Sequence, residues 1–236
     1  MMQRAVAVGG DGIDGIRIET ADLPVAGPGE ALVRLTAATL NYRDLLFARG
    51  SLSGLTKEPD YVPLSCGAGE VVGVGADVHR VAAGDRVSPI FALGWVDGPS
   101  PTMEMLGGSV DGTARRYAAF PAESLVRIPD TLGDLDAATL PCAGLTAWNA
   151  LFQHRPIRAG EWVLTQGTGG VSIAALQFAK AAGAKVAITS SSDAKLARGP
   201  PRGGGARRHH PPAPAGGAGG GRGGGGGRRG GGGGGG

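Results

Sequence analysis

A short run of glycines between two apolar segments is the clearest place where this sequence could bind a charged ligand. The segment EWVLTQ (161–166) leads into Gly167-Thr168-Gly169-Gly170, and apolar residues then recur at helical spacings. A second apolar segment, KVAITS (185–190), comes after Gly183. Glycine lets backbone N–H groups approach a pyrophosphate, and a helix N-terminus favours its negative charge. The order strand, turn, helix, strand therefore predicts a parallel β-α-β unit that binds a dinucleotide.

We expect the ligand contacts of this turn to come from Gly167, Thr168, Gly169, Gly170 and Val171. Ser172 departs from the GxGxxG pattern, because it stands where the third glycine would be. Glycines after a strand also form turns that bind nothing, so a purely structural turn is the alternative. The strand before the turn and the amphipathic helix after it favour the binding site.

The end of the second apolar segment predicts which dinucleotide is bound. Sites for NAD place an Asp or Glu there to accept from the ribose hydroxyl groups, whereas this chain has serines at 190–192 followed by Asp193. Hydroxyl groups and a nearby cation suit the 2′-phosphate of NADP(H), with Ser190, Ser191 and Lys195 as its contacts. Asp193 is then expected to be the N-cap of the next helix. The alternative is a polar loop with no cofactor role.

The first 120 residues show a different pattern, in which Pro and Gly separate short apolar runs. Such punctuation is typical of a small, irregular β-barrel or sandwich, here interrupted by one helix at 42–49. After LVRIPD (125–130) the pattern becomes helical, and Pro141 should end or kink that helix. The predicted fold class is therefore α/β, with a β-rich N-terminal domain followed by an incomplete parallel β-α-β domain.

The residues after Arg198 differ in composition from all that precede them. Residues 199–236 comprise 21 Gly, 6 Arg, 5 Pro, 4 Ala and 2 His, so they lack the apolar side chains that would offset the entropy of ordering. We expect a disordered tail, and a frame slip in GC-rich coding DNA is one origin of such a sequence. Arg/Gly segments can bind RNA, but no Phe or Tyr interleaves here, so no nucleic-acid partner is expected.

The charge balance assigns the basic character of the chain to its tail, and the lengths of the apolar runs argue against a membrane partner. Without the 6 Arg of the tail, residues 1–198 carry 17 basic against 20 acidic residues, so the basic character belongs to the tail. No apolar run reaches the roughly 18 to 20 residues that cross a bilayer, and residues 1–10 lack the apolar region of a signal peptide. We therefore expect a cytoplasmic protein with no membrane partner. Cys66 and Cys142 show no CxxC spacing and form a weak disulfide framework.

Six segments occur in an order that resembles a known family: LNYRDLL (40–46), GAGEVVGVG (67–75), AGDRV (83–87), LPCAGLTAW (140–148), QGTGGVSIAALQFAKAAGA (166–184) and SSSDAKL (190–196). Together they resemble the zinc-independent, quinone-oxidoreductase-like branch of the medium-chain dehydrogenase/reductase (alcohol dehydrogenase) superfamily. The resemblance implies a GroES-like catalytic domain (1–124) and a partial Rossmann coenzyme domain (125–198), followed by the tail (199–236). It also implies an active site in the cleft between the domains, and a homodimer as a common form of the complete family enzyme.

The same resemblance bears on zinc. Zinc-dependent relatives supply a cysteine, a histidine followed by an acidic residue, and a second cysteine. The corresponding positions here are Asn41, then Ser65 with Cys66, and finally Cys142. Asn and Ser are poor zinc ligands, so we expect no catalytic zinc, and the four-cysteine structural lobe is absent from the sequence. A metal bound by Cys66 and Cys142 is the alternative.

Without a Lewis acid, quinones and conjugated enones are the favoured substrates, because incoming hydride gives a delocalised anion that hydrogen-bond donors can stabilise. The resemblance places Asn41 and Tyr42 beside the nicotinamide, where either could donate to the substrate oxygen. Their alternative roles are to cap the helix and to pack beneath it. Asp44 is expected to orient its neighbours, and Thr146 resembles the family threonine near the nicotinamide ring.

Two classes of function follow from the resemblance. The first is an NADPH-dependent oxidoreductase that transfers hydride to a quinone, an enone or a related carbonyl substrate, or a zinc-independent alcohol dehydrogenase-like protein. The second is a truncated chain that is inactive or merely binds, because the sequence ends after the second coenzyme-domain strand and that strand's edge would be left exposed.

Overall fold

The computed structural model describes residues 1–57, 59–99, 104–190, 192, 194–195 and 207–209. The chain begins with an antiparallel pair, β1 (Met2–Val6) and β2 (Arg17–Ala21). A longer strand, β3 (Glu30–Thr39), leads into helix α1 (Tyr42–Ala48). The strands β4 (Cys66–Val74), β5 (Arg86–Pro89), β6 (Tyr117–Pro121) and β7 (Leu125–Arg127) complete this part of the molecule.

A five-stranded antiparallel sheet in the order β6-β3-β4-β5-β7 forms the body of the N-terminal part. Alternate residues of these strands point to one core, where Val33, Val71, Val87 and Phe120 are almost fully buried. This alternation is what half-buried antiparallel strands require. Gly69 on β4 is needed for a close approach, because a Cβ at this position would collide with the Arg34 carbonyl of β3.

A helical connection follows β7 and leads to the second part of the molecule. It comprises α2 (Asp134–Ala137), a wide π-helical turn (Leu140–Gly144), α3 (Leu145–Trp148) and a second π-helical turn (Asn149–Gln153). Pro141 lies at the start of the first wide turn. The sequence predicted an end or a kink at this proline. The α-helix α2 ends at Ala137, before the proline, and the chain continues from Leu140 as a wide turn, which accommodates a residue that has no N–H to donate.

The predicted β-α-β unit is present. The strands β8 (Trp162–Gln166) and β9 (Lys185–Thr189) are parallel and in continuous register, and helix α4 (Gly170–Ala181) connects them. Leu176 and Ala179 of α4 pack against Val186 and Ile188 of β9 in a second core. The expected α/β class is therefore present, as a sheet-rich N-terminal part followed by a parallel β-α-β unit.

The outer edge of β9 is occupied. A short strand, β10 (Arg207–His209), pairs in parallel with it, so that the second sheet has the order β10-β9-β8. The disordered tail stays a prediction, because apart from these three residues the segment 199–236 lies outside the described residues. The pairing of Arg207–His209 has a physical reason: an open strand edge presents unpaired N–H and C=O groups, which an extended segment can pair whatever its side chains.

Candidate active site

A cleft of about 850 Å³ lies between the N-terminal part and the β-α-β unit. Three segments form its walls: the end of β3 with the start of α1, the first π-helical turn, and the glycine turn that precedes α4. The predicted site residues that line it are Asn41, Tyr42, Thr168, Gly169, Gly170 and Val171. The fold thus brings the predicted catalytic stretch and most of the predicted pyrophosphate turn to one cavity.

The glycine turn leaves the N-terminus of α4 without a side-chain cap. Gly167 has a φ of 80°, which favours glycine, and its N–H donates to the Thr189 carbonyl at 2.9 Å. Gly169 is the N-cap of α4 and supplies no side-chain cap, so backbone N–H groups at the helix start stay available to a ligand. A Cβ on Gly170 would lie 3.3 Å from the Cβ of Ala143, so glycine also permits the close approach of the π-helical turn.

Ser172, the departure from the glycine pattern, has a structural role. Its hydroxyl donates to the Gln166 carbonyl at 2.9 Å, which ties the first turn of α4 to the end of β8. Ser172 and Gln166 both line the cleft, although the sequence did not single out Gln166. A side chain that bonds back to the strand takes the place of the close helix–strand packing that a third glycine would give.

The predicted 2′-phosphate contacts are only partly described. Ser190 is buried, and its hydroxyl accepts the Ser192 N–H at 3.2 Å. The Ser192 hydroxyl in turn accepts the Lys195 N–H at 3.4 Å, which is an N-cap type of contact. Lys195 itself is exposed. Ser191, together with the predicted N-cap Asp193, lies outside the described residues.

The Asp44 side chain holds the backbone of Asn41 in place. The Asp44 carboxylate accepts the Asn41 backbone N–H at 2.7 Å, while Asp44 itself is only 8 % exposed. Burial raises the pKa of Asp44 above its usual value, against the hydrogen bond from Asn41 and the charge of Arg43. One Asp44 oxygen has no hydrogen-bond partner among the described residues. Asp44 therefore orients the start of α1, and it is not among the residues that line the cleft.

Tyr42 and Thr146 occupy different cavities. Tyr42 is 74 % exposed on the wall of the cleft, so it does not pack beneath α1. Thr146, on α3, lines a neighbouring cavity of about 630 Å³ together with Phe91 and Trp95. The structure therefore does not bring Thr146 into the same cavity as the glycine turn.

The side chains of four residues lie together at this point: Asn41, Ser65, Cys66 and Cys142. The Asn41 Nδ2 donates to the Cys66 Sγ at 3.2 Å, and the Ser65 Oγ lies 3.4 Å from the same sulfur. The Cys142 thiol and backbone N–H also donate toward Cys66. The hydrogen bond from Cys142 lowers the pKa of Cys66 to about 7, against the opposing effect of burial, and the Ser65 and Asn41 contacts lower it further. The same Cys66 contact, together with burial, raises the pKa of Cys142.

These four residues are a poor donor set for zinc. Zinc prefers thiolate, imidazole and carboxylate ligands in tetrahedral sites, whereas this group offers two sulfurs, one amide and one hydroxyl. Over the part of the chain that the structure describes, no three His, Cys, Asp or Glu residues gather as a metal site would require.

The described helices include none that is long and apolar enough to cross a membrane.

Comparisons with known proteins identify the N-terminal domain and the proteins that this chain resembles. Residues 27–130 match the alcohol dehydrogenase GroES-like domain. A zinc-type alcohol dehydrogenase-like protein from Schizosaccharomyces pombe is 47% identical over 191 residues, which are 78% of this chain and 55% of that protein. The chain thus spans about half the length of this relative.

Solved structures give the same picture. An NAD-dependent alcohol dehydrogenase superposes with a TM-score of 0.79 at 30% identity, covering 89% of this chain and 63% of its own. A quinone oxidoreductase from Pseudomonas syringae superposes with a TM-score of 0.69 at 30% identity, covering 84% of this chain and 55% of its own. The names of these relatives differ in the metal, the cofactor and the substrate that they mention. For this chain, these three properties therefore have to be inferred from its own residues.

Proposed function

Because this chain belongs to the alcohol dehydrogenase-like medium-chain dehydrogenase/reductase superfamily, we propose that it provides the substrate side and the pyrophosphate turn of an NADPH-dependent reductase. The proposed substrate is a quinone, a conjugated enone or a related carbonyl compound, reduced without zinc. The observation that carries the proposal is the cleft of about 850 Å³ that joins Asn41 and Tyr42 to the glycine turn.

The cofactor side of the proposal rests on the start of α4. The open N–H groups at Gly169 and Gly170 would hold the pyrophosphate, and Gly167 sets the turn that aims them. Ser190, Ser191 and Lys195 are proposed to bind the 2′-phosphate, because this stretch offers hydroxyl groups and a cation where an NAD site has a carboxylate. When bound, NADPH supplies the hydride.

The substrate side rests on two hydrogen-bond donors. A quinone or enone that accepts hydride becomes a phenolate or enolate, and its negative oxygen needs donors positioned in advance. The Tyr42 hydroxyl is on the cleft wall, and the Asn41 amide is held by Cys66 behind it. Asp44 fixes the backbone of Asn41, so it acts as a positioning residue. Thr146 as a nicotinamide contact stays a prediction, since Thr146 lies in the neighbouring cavity.

The proposed absence of zinc follows from the chemistry of the donors. Asn41 and Ser65 replace the residues that zinc-dependent relatives use, and Asn41 Nδ2 already donates to the Cys66 sulfur. Asn41 and Ser65 offer a metal only a neutral amide oxygen and a hydroxyl oxygen, which are poor replacements for the thiolate and imidazole that zinc prefers. Elemental analysis of purified protein should therefore find far less than stoichiometric zinc. A stoichiometric zinc content would overturn this part of the proposal.

The reaction is tested by following NADPH oxidation with p-benzoquinone, using protein pretreated with a chelator. We expect activity that survives the chelator. Tyr42→Phe and Asn41→Ala should each lower kcat about 10- to 100-fold, the size of one lost hydrogen bond to a charged group. Tyr117→Phe, on β6 and outside the cleft lining, is the matched control and should keep full activity. Equal losses in all three variants would contradict the proposed roles.

A second candidate function is a chain that binds NADPH but does not reduce a substrate. The observation that favours it is the separation of Thr146 from the glycine turn, because a nicotinamide bound by both would have to extend between two cavities. Cofactor binding without any turnover of quinones, enones or simple ketones would select this candidate. Absence of both binding and turnover would reject both candidates.

A further inference from the structure

Two free thiols from distant parts of the sequence meet at the back of the cleft. Cys66 is the first residue of β4 and is 1% exposed, while Cys142 lies in the π-helical turn Leu140–Gly144 and is half-buried. The Cys142 thiol and backbone N–H both donate toward the Cys66 sulfur. The two cysteines therefore bridge the N-terminal sheet and the helical connection without a covalent bond.

The surroundings give the two sulfurs different chemical roles. The Cys66 sulfur receives hydrogen bonds from the Asn41 amide at 3.2 Å and from Cys142, and it lies 3.4 Å from the Ser65 hydroxyl. Such donors favour a thiolate, which is the reactive form of cysteine. Because the Asn41 amide donates to Cys66, the thiolate is placed on Cys66 and the proton on Cys142. One nucleophilic thiolate beside one protonated thiol is the arrangement of a reactive cysteine with its resolving partner.

The pair lies next to the cleft, although neither cysteine is among its lining residues. Asn41, which contacts Cys66, lines the cleft, and so do Ala143 and Leu140 on either side of Cys142. A molecule as small as a peroxide can enter a cavity of about 850 Å³, whereas the burial of Cys66 excludes bulky oxidants.

We propose that Cys66 and Cys142 form a reversible disulfide when the protein meets hydrogen peroxide. The Cys66 thiolate attacks one peroxide oxygen and the O–O bond breaks, which leaves a sulfenic acid on Cys66 and releases hydroxide. The Cys142 sulfur then attacks the Cys66 sulfur, the S–O bond breaks, and the second hydroxide leaves. The two hydroxides take up the proton of Cys142 and one proton from solvent as water. Overall the thiol pair loses two electrons, and peroxide is reduced to water.

Disulfide formation would change the site in two ways. The Cys66 sulfur loses the charge that accepts the Asn41 amide hydrogen bond, so the orientation of Asn41 is no longer fixed from behind. The new bond also ties β4 to the π-helical turn, which lines the cleft. Oxidation is thus expected to alter the cleft, although the thiol chemistry itself does not depend on the proposed reductase function.

The test uses the full chain, treated with a small excess of hydrogen peroxide and then blocked with a maleimide. The expected product has lost two hydrogen atoms and has no free thiol, and trypsin should release peptides 58–80 and 128–158 as one linked species. Dithiothreitol should restore both thiols. Unchanged thiols after peroxide, or links only between separate chains, would overturn the proposal.

Two single variants distinguish the proposed roles of the cysteines. Cys142→Ser should stop at the Cys66 sulfenic acid, which dimedone traps as a stable adduct. Cys66→Ser should leave Cys142 unmodified at the same peroxide dose, because the thiol that remains is protonated. If a variant fails to fold, wild-type protein sampled during oxidation gives the same answer, since the first dimedone adduct must lie in peptide 58–80. A first adduct on peptide 128–158 would contradict the assignment of Cys66 as the nucleophile.

Discussion

The Asn41 amide nitrogen lies 3.2 Å from the sulfur of Cys66, a residue on the neighbouring strand that is 25 positions away in sequence. This contact fixes an amide on the wall of the cleft from behind, while the Asp44 carboxylate fixes its backbone at 2.7 Å. Two separate interactions therefore hold one proposed substrate donor. The orientation of the Asn41 amide therefore depends on Cys66 and Asp44 as well as on Asn41 itself.

The carboxylate of Asp44 should stabilise the start of α1 as an acceptor. Asp44→Ala removes the acceptor of the Asn41 N–H and should lower the free energy of unfolding by about 1 to 2 kcal/mol. Asp44→Asn keeps a side-chain oxygen for that N–H and avoids burying a charge, so its free energy of unfolding should stay near that of the wild type. Urea unfolding of the three proteins measures both effects. Equal destabilisation by Asn and Ala would show that the charge, and not the hydrogen bond, is required.

The glycine at the N-cap of α4 should matter for the cofactor and not for folding. Gly169 has an ordinary φ of −76°, and no atom lies within 4 Å of the Cβ that an alanine would add. Gly169→Ala should therefore leave the unfolding transition unchanged, but weaken NADPH binding about 10- to 150-fold by blocking approach to the backbone N–H groups. Gly73→Ala, also in open space but on β4, is the control that should change neither property.

The Asp134 carboxylate joins the helical connection to the N-terminal sheet. It accepts from the Thr36 hydroxyl at 2.6 Å and from Arg86 Nε at 3.0 Å. The Thr36 hydrogen bond and the Arg86 contacts lower the pKa of Asp134 below its usual 3.8. A lowered folded-state pKa means that the stabilisation is complete above pH 3.8 and is lost as the pH falls through the folded-state value.

Asp134→Asn should accordingly be less stable than the wild type at neutral pH, by about 1 kcal/mol because the carboxylate is partly exposed. The difference should shrink when unfolding is measured below pH 3.8. Asp136→Asn, on the same helix but outside the contacts with Thr36 and Arg86, is the control. A stability difference that stayed constant down to acidic pH would contradict the proposed ion pair.

Lys195 is the cation proposed to select NADPH. Lys195→Ala should weaken binding of NADPH about 10- to 150-fold through loss of a charge-assisted contact, while binding of NADH should barely change. Lys185→Ala is the matched control, since this exposed lysine of β9 lies over the Trp162 ring at 5.8 Å. If Lys195→Ala weakened both cofactors equally, Lys195 would instead stabilise the helix start.

Local pattern was sufficient to predict the β-α-β unit. The apolar segments 161–166 and 185–190 became β8 and β9 within one residue at their ends, because strand and helix periods are visible in a short window. The sequence also predicted that Asn41 and the glycine turn share a cleft, but only through the family resemblance. The spacing of apolar residues within one segment does not determine the distance between Asn41 and Gly169.

Two features could not be read from the sequence, since both depend on contacts between distant residues. The contact between Cys66 and Cys142 joins two positions that are far apart in the sequence and show no CxxC spacing. The number and spacing of the cysteines therefore indicated only a weak disulfide framework and did not predict this contact. The strand Arg207–His209 comes from a segment with no strand pattern and forms because the β9 edge offers backbone partners. In both cases the tertiary structure, and not the side chains of one segment, determines the pairing.

The proposed function requires that this cleft binds NADPH without a metal. The direct measurement is an equilibrium titration of chelator-treated protein with NADPH, followed by cofactor fluorescence and repeated with NADH. We predict micromolar binding of NADPH, clearly weaker binding of NADH, and loss of NADPH affinity in Gly169→Ala but not in Gly73→Ala. No binding at millimolar NADPH, or binding that appears only when zinc is added back, would contradict the account.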